Sequence, residues 1–367
     1  MQDKDTLIRR YSTLHSHLKN DIAIEQLTDN SKRKCWINPK ARLIKKNKNF
    51  YAYTERDFSA LTHKLHAILD KEEYLKAKGY NLDGIKSFNR NVWFDISKNS
   101  VALEGIFEDY PFDLTDLRTE LRGKFAIDPK GKFSRNDYFV QLHERQQKMI
   151  QDNDSIVVNG KNQKHSISLE TAMHYMAFKY IYKCAKHDKM KNISLEELFE
   201  TMLNASCLLS GERINSYRKI QVYVKKQGYS KNPNWTPTRP NRIDEEIEAL
   251  LNSVLHDEDV ISLHPLVKAA MFHAEFVRVH PFIDGNGRTG RLMSNYILIR
   301  EEMPAISIAS QDLDKYHDAI STAIEDHNLD LMIDLFYDSM QRTIEGIDKC
   351  LNYIEKEKNI DYENEIL

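Results

Sequence analysis

A mainly helical fold is what this sequence predicts, and three observations carry the prediction. The 367 residues include only 12 glycines and 9 prolines, few for a chain built from turns and strands. Segment after segment places apolar residues at the i, i+3, i+4, i+7 spacing of an amphipathic helix. The chain shows no repeat of solenoid length, and its 41% hydrophobic content is ample for a packed core.

Taken in order, the periodicity predicts helices over Asp3 to Leu18, Glu55 to Ala77, Arg90 to Phe107, Leu114 to Leu121 and Arg135 to Asp152. Further helices follow over Ser168 to His187, Ser194 to Ser210, Arg242 to His256, Leu313 to Asp326 and Leu329 to Glu357. Between the first two lies Lys32 to Lys48, with eight Lys or Arg and no acidic residue, near Trp36, Phe50, Tyr51 and Tyr53. The aromatics follow the basic run and do not alternate through it, so a solvated hairpin face outweighs a nucleic-acid platform. Residues 151 to 166, QDNDSIVVNGKNQKHS, are polar around Asn159-Gly160 and read as a turn or loop at a domain boundary. In Tyr217 to Tyr229, Ile220, Val222 and Val224 alternate with polar neighbours, which predicts a strand or hairpin among the helices.

Composition excludes several function classes. The net charge of −2 demands neither nucleic acid nor a membrane surface. Cys35, Cys184, Cys207 and Cys350 are far apart without a CxxC pair, which argues against a zinc ribbon or a disulfide framework and fits a reducing cytoplasm. The N-terminus is polar, and no apolar run approaches the ~18 residues of a membrane span. A cytoplasmic protein without an N-terminal signal peptide is expected.

The informative stretch is HPFIDGNGRTGR, His280 to Arg291. Its GNGRTG satisfies G-x-G-x-x-G, but a dinucleotide site needs a β-strand before the first glycine. Here LHPLVKAAMFHAEFVRVH has helical spacing, Pro281 stops that helix, and RTGRLMSNYILIR resumes one. Helix, glycine loop, helix is a different device. Gly285 and Gly287 let a backbone turn approach an anion, and the following helix start offers unpaired N–H donors and partial positive charge. Arg288 and Arg291, at i and i+3, add bidentate grips suited to a polyphosphate. Asp284, just before the cradle, suits a hard cation such as Mg2+ between it and phosphate. His280 has the side chain of a general base near neutral pH. Each element alone is ordinary turn or cap composition; together they describe nucleotidyl or phosphoryl transfer to a hydroxyl.

HPFIDGNGRTGR matches the Fic signature H-P-F-x-D/E-G-N-G-R-x-x-R at every specified position, and the chain resembles Fic proteins over roughly residues 165 to 345. The resemblance rests also on LHPLVKAAMFHAEFVRV before the motif, LMSNYILIR and MPAISI after it, and SYRKIQVYV upstream. It implies an all-α Fic core with a small β-hairpin flap, preceded by a largely helical N-terminal region. It also implies transfer of AMP from ATP to a Ser, Thr or Tyr hydroxyl of a target protein, or of the protein itself, with release of pyrophosphate. By that analogy His280 deprotonates the acceptor, Asp284 holds Mg2+, and Gly285, Asn286, Gly287, Arg288, Thr289, Gly290 and Arg291 bind the nucleotide. Tyr316, in QDLDKYH, is the expected aromatic beside adenine. Ile220, Gln221, Val222, Tyr223 and Val224 would form the flap that pins the acceptor by strand-like pairing.

Ser100-Val-Ala-Leu-Glu104-Gly105 fits the inhibitory pattern S/T-x-x-x-E-G/N of that family. Ser100 and Glu104 are i and i+4, one face of a helix, and Glu104 is expected to pair with Arg291 in the place of the γ phosphate. The expected organisation is a regulatory region over 1–160, the core over 165–345 and an acidic tail over 346–367. A different transferred group such as UMP, or removal of AMP, stays open. So does a homodimer. A nucleotide-sensing module with a nucleic-acid contact through the basic N-terminal run is the competing class, and an intact His280 argues against it. Target choice is unreadable.

Overall fold

The computed structural model describes residues 41–46, 49–105, 133–152, 155–160, 163–189, 191–212, 214, 216–225 and 234–365. The helices expected at Asp3 to Leu18 and Leu114 to Leu121 lie outside them, as do residues 32–40 and 47–48 of the basic run.

The chain enters as an antiparallel hairpin, β1 (Ala41–Lys46) against β2 (Asn49–Thr54), with Ala41 opposite Thr54 and Lys46 opposite Asn49. The hairpin reading of the basic run therefore holds for its second half. β2 is fastened to the far end of the chain: Ala52 N–H donates to His327 O at 2.7 Å and Leu329 N–H to Ala52 O at 2.9 Å. Thr54 gives both its N–H and its hydroxyl to Asp330, at 2.7 and 2.9 Å. These bonds hold the connection extended, so helix α1 (Ser59–Ala77) starts past the expected Glu55. Helix α2 (Asp83–Ala102) starts ahead of Arg90 and ends short of Phe107, where Gly105 takes φ +86° and stops the turn.

Helix α3 (Arg135–Asp152) occupies its expected span. The polar stretch after it is not a plain loop. It forms a second hairpin, β3 (Ser155–Gly160) with β4 (Gln163–Ser168), and Gly160 opposes Gln163 at the tip. Asn159 and Gly160, expected as a turn, are the last two paired residues of β3; Ile156, Val157 and Val158 carry the strand propensity that the polar neighbours obscured. Helix α4 (Leu169–Asp188) is capped by Ser168, which accepts from Thr171 N–H at 3.2 Å. Helix α5 (Leu195–Ser210) opens on a reciprocal Ser194–Glu197 capping box and closes on Gly211 at φ +75°.

The stretch expected as a flap differs from the prediction. Ile220, Gln221, Val222 and Tyr223 carry no strand, and pairing is confined to β5 (Val224–Lys225) against β6 (Asn234–Trp235). Among the described residues, Val224 is the one position of the expected flap that lies in a strand, so no hairpin flap is resolved over Ile220 to Val224. The reason is local: Ile220 O accepts from Arg218 Nη1 at 2.9 Å, and Gln221 Nε2 donates to Val222 O and Pro237 O, at 3.1 and 3.2 Å. Ile220 and Tyr223 are 60% and 69% exposed, so the alternation buries no face.

Helices α6 (Ile243–His256) and α7 (Glu258–Ile261) lead into α8 (Pro265–Val279) and α9 (Asn286–Arg300). Helix α10 (Leu313–Glu325) and the long α11 (Asp330–Glu365) complete the bundle. The core lies where α4, α8 and α9 meet, all three buried on nearly every side. Phe178, Tyr180, Phe272 and Phe276 are fully buried there, each contributing on the order of 1.5–3 kcal/mol by leaving water. This packing holds the C-terminus of α8 and the N-terminus of α9 together, and the HPFIDGNG loop joins them.

Candidate active site

Helix α8 ends because Pro281 follows it. His280 takes the left-handed conformation, φ 55° and ψ 60°, while its N–H still donates to Phe276 O at 2.9 Å. A non-glycine residue there is strained and is held only by an over-determined surrounding. Asn286 supplies part of that determination. Its side chain accepts from Phe282 N–H and donates to Phe282 O, both at 2.9 Å, closing the loop on itself. Gly285, at φ +78°, turns the chain into α9, a conformation that a side chain would strain.

The first amides of α9 have no intrahelical acceptors, and the two arginines flank them. Arg288 is buried and its Nη2 meets Asp284 Oδ2 at 2.8 Å, while the Asp284 side chain is 85% exposed. Among the described residues, Arg288 Nε is buried with no hydrogen-bond partner. A buried, unsatisfied guanidinium N–H beside free helix amides is a donor set for an anion.

Arg291 is held on three sides. Its Nε donates to Ser100 Oγ at 2.9 Å, its Nη2 to Ser100 O at 2.8 Å and to Glu104 Oε1 at 2.6 Å, and its Nη1 to Tyr316 Oη at 2.5 Å. Burial opposes its charge, but the Tyr316 hydroxyl and the Glu104 carboxylate outweigh that and raise its pKa above the ordinary value. Ser100 lies in the last turn of α2 and Glu104 in the turn just past its end, yet both meet Arg291, and Glu104 reaches the cradle itself: a Cβ on Gly287 would lie 2.6 Å from Glu104 Oε1. The absence of a side chain at Gly287 makes room for a carboxylate over the helix start.

Burial pushes the His280 imidazole down to about 4, with the nearby Arg218 adding to the effect. The expectation of a base poised near neutrality is corrected accordingly, since desolvation disfavours the imidazolium. Tyr316, expected beside adenine, is 3% exposed and stands behind Arg291; His273 Nε2 lies 3.0 Å from its hydroxyl. The Arg291 guanidinium carbon lies 5.2 Å from the centroid of the Tyr316 ring. Thr289 ties α9 to α5 through Ser206, 3.1 Å away, and Gly290 packs against His273.

Sequence reasoning missed Arg218. In SYRKIQVYV it looks like Lys219, a solvated charge, yet it is 4% exposed and bonds to the backbone of the His280 turn. It also missed the buried neutral histidines behind the arginines, His174 and His273, whose imidazoles burial pushes down, His273 to about 3. Only tertiary packing separates these from surface residues.

The sequence model of the Fic/DOC family matches residues 136–298. The match starts inside α3 and runs through the β3–β4 hairpin, so the polar stretch at 151–166 lies within the matched residues. The chain is 31% identical over 135 residues to a protein adenylyltransferase Fic of Nematostella vectensis, which covers 37% of this chain and 30% of that protein. It is 28% identical over 265 residues to the protein adenylyltransferase Fic of Drosophila erecta, covering 71% of this chain and 43% of that one. The chain thus spans less than half the length of these relatives. A Fic domain containing signalling protein of Bacteroides thetaiotaomicron has a similar structure, with TM-score 0.52, 18% identity, and coverage of 80% of this chain and 97% of that one. The mainly helical Fic fold is therefore shared. Among the described residues no helix is long and apolar enough to cross a membrane.

Proposed function

We propose that this chain is a protein adenylyltransferase that moves AMP from ATP to a protein hydroxyl, and that Glu104 restrains it. The observation that carries the reading is the meeting of four groups at one helix start: His280, the Gly285–Gly287 cradle, the two buried arginines, and a carboxylate seated over Gly287. Names of relatives add support, since proteins with partial similarity are named protein adenylyltransferases.

The α9 amides and Arg288 would bind the phosphates, and Arg291 would grip those farthest from the reacting phosphorus, which leaves the α phosphorus facing His280. His280, neutral at pH 7, is in the protonation state that accepting a hydroxyl proton requires. The hydroxyl oxygen attacks the α phosphorus, the bond to the bridging oxygen breaks, and pyrophosphate leaves with the electron pair. Positioning and charge neutralisation do most of the work in such transfers.

The residues fit Mg2+. Among the described residues no group of three or more metal-binding side chains exists, so a cation needs substrate oxygens to complete its shell, as Mg2+ commonly does. Asp284, an exposed carboxylate beside the cradle, would hold it, and the ion would supply neutralisation of phosphate charge. With Glu104 on Arg291, an anion must displace a carboxylate to use that arginine. This is the proposed restraint. The regulatory region would then include residues 100–105, with the core following it.

The test is incorporation of label from α-labelled ATP with Mg2+, parent beside His280→Ala. Loss of a positioned base should cut the rate by about 10²–10⁴-fold while ATP binding persists. Equal labelling by His280→Ala would overturn the reading.

A further inference from the structure

Arg218 is a buried arginine whose contacts, among the described residues, are backbone carbonyls and not carboxylates. Its Nε donates to His280 O at 2.7 Å, its Nη1 to Ile220 O at 2.9 Å, and its Nη2 to Val279 O at 3.3 Å and to Thr238 O. Its own N–H donates to Pro281 O at 2.9 Å. Burying a guanidinium without a counter-charge is costly, so the arrangement is kept by what these bonds hold together. They hold three pieces: the end of α8 with His280, the segment at Ile220, and the returning segment at Thr238.

The anchor at Thr238 is itself fixed. Thr238 Oγ1 donates to Glu246 Oε2 at 2.9 Å, and Glu246 receives Arg278 Nη2 at 2.5 Å. Arg278 in turn binds Glu275, at 2.7 and 2.9 Å, within α8. One planar fork thus ties both ends of the 220–238 segment to the residue whose side chain is the base, against a rigid backing. Lysine could not do this, because an ammonium lacks the fixed fork.

We propose that Arg218 is a positioning residue, fixing the His280 turn against the segment around Ile220 and Tyr223, whose exposed side chains leave it open to the acceptor of the proposed transfer. The proposal rests on the transferase reading above. In the cradle Arg218 touches nothing, so its loss should spare nucleotide binding.

The test uses the full chain carrying Glu104→Gly, with Arg218→Gln and Arg218→Lys added separately. Self-labelling from α-labelled ATP, ATP affinity, and amide hydrogen exchange are measured on each. Arg218→Gln should slow labelling roughly 10- to 100-fold, the scale of a misplaced reactant, with ATP affinity within about twofold. Arg218→Lys should recover little of the rate. Exchange should accelerate together at residues 216–224 and 280–284. Parent-level labelling by either variant, exchange changed in only one of the two segments, or ATP affinity lost in step with the rate would overturn the proposal. Should the Glu104→Gly parent fail to label, the transferase reading falls, and the paired exchange change still decides whether Arg218 joins the two segments.

Discussion

Replacing Glu104 with glycine isolates one contact and predicts a gain of activity. Glu104 Oε1 receives Arg291 Nη2 at 2.6 Å, with the arginine side chain 6% and the glutamate side chain 33% exposed. A hydrogen bond between charged groups is worth about 1.5–3 kcal/mol, and the partial exposure of Glu104 favours the lower part of that range. A ligand that must first break the contact loses the corresponding factor, roughly ten- to a hundredfold in the competent fraction. Ser100 keeps its two bonds to Arg291 in the variant, at 2.9 and 2.8 Å, so the guanidinium stays oriented and only its free edge changes. The assay is the initial rate of label transfer from α-labelled ATP at saturating ATP and Mg2+. Glu104→Gly should exceed wild type by roughly 10- to 100-fold, and Glu104→Gln, which keeps size but not charge, should fall between. Equal rates for wild type and Glu104→Gly would show that the contact restrains nothing.

Three further outcomes are expected. Arg291→Ala should be inactive even when combined with Glu104→Gly, because the arginine serves the phosphates as well as the carboxylate; a double variant matching Glu104→Gly in rate would refute that role. Asp284→Ala frees Arg288 from its 2.8 Å partner and removes the carboxylate proposed to hold the cation, so labelling should drop severely at any Mg2+ concentration; an unchanged Mg2+ dependence at parent rate would exclude Asp284 as ligand. Burial holds the imidazoles of His264 and His280 down to about 4 and His273 to about 3, whereas unfolded histidine titrates near 6.5. Between these values the unfolded chain binds more protons, so stability rises with pH through the window. The Tm should fall steadily as pH drops from 7 towards 4.5, and a flat Tm over that range would contradict the burial argument.

Local rules decided much of this protein in advance. Helical spacing located α3, α5 and α10 closely, because a helix is written in neighbours three and four residues apart. The HPFIDGNGRTGR loop was legible for the same reason: its proline stop, left-handed glycine and helix-start arginines are short-range features. What needed the tertiary structure were properties of long-range approach. Whether Glu104 reaches Arg291, 187 residues away in sequence, depends on α2 crossing the start of α9. Arg218 and Lys219 are indistinguishable as letters, and only the fold buries one and exposes the other. That the Tyr316 ring is buried against Arg291 depends on α10 packing it inward. Ile220 to Tyr223 lie outside any strand, with Ile220 O taken by Arg218 and Val222 O by Gln221. His280 was named from its chemistry, but its pKa was set by burial, which depends on every helix packed around it.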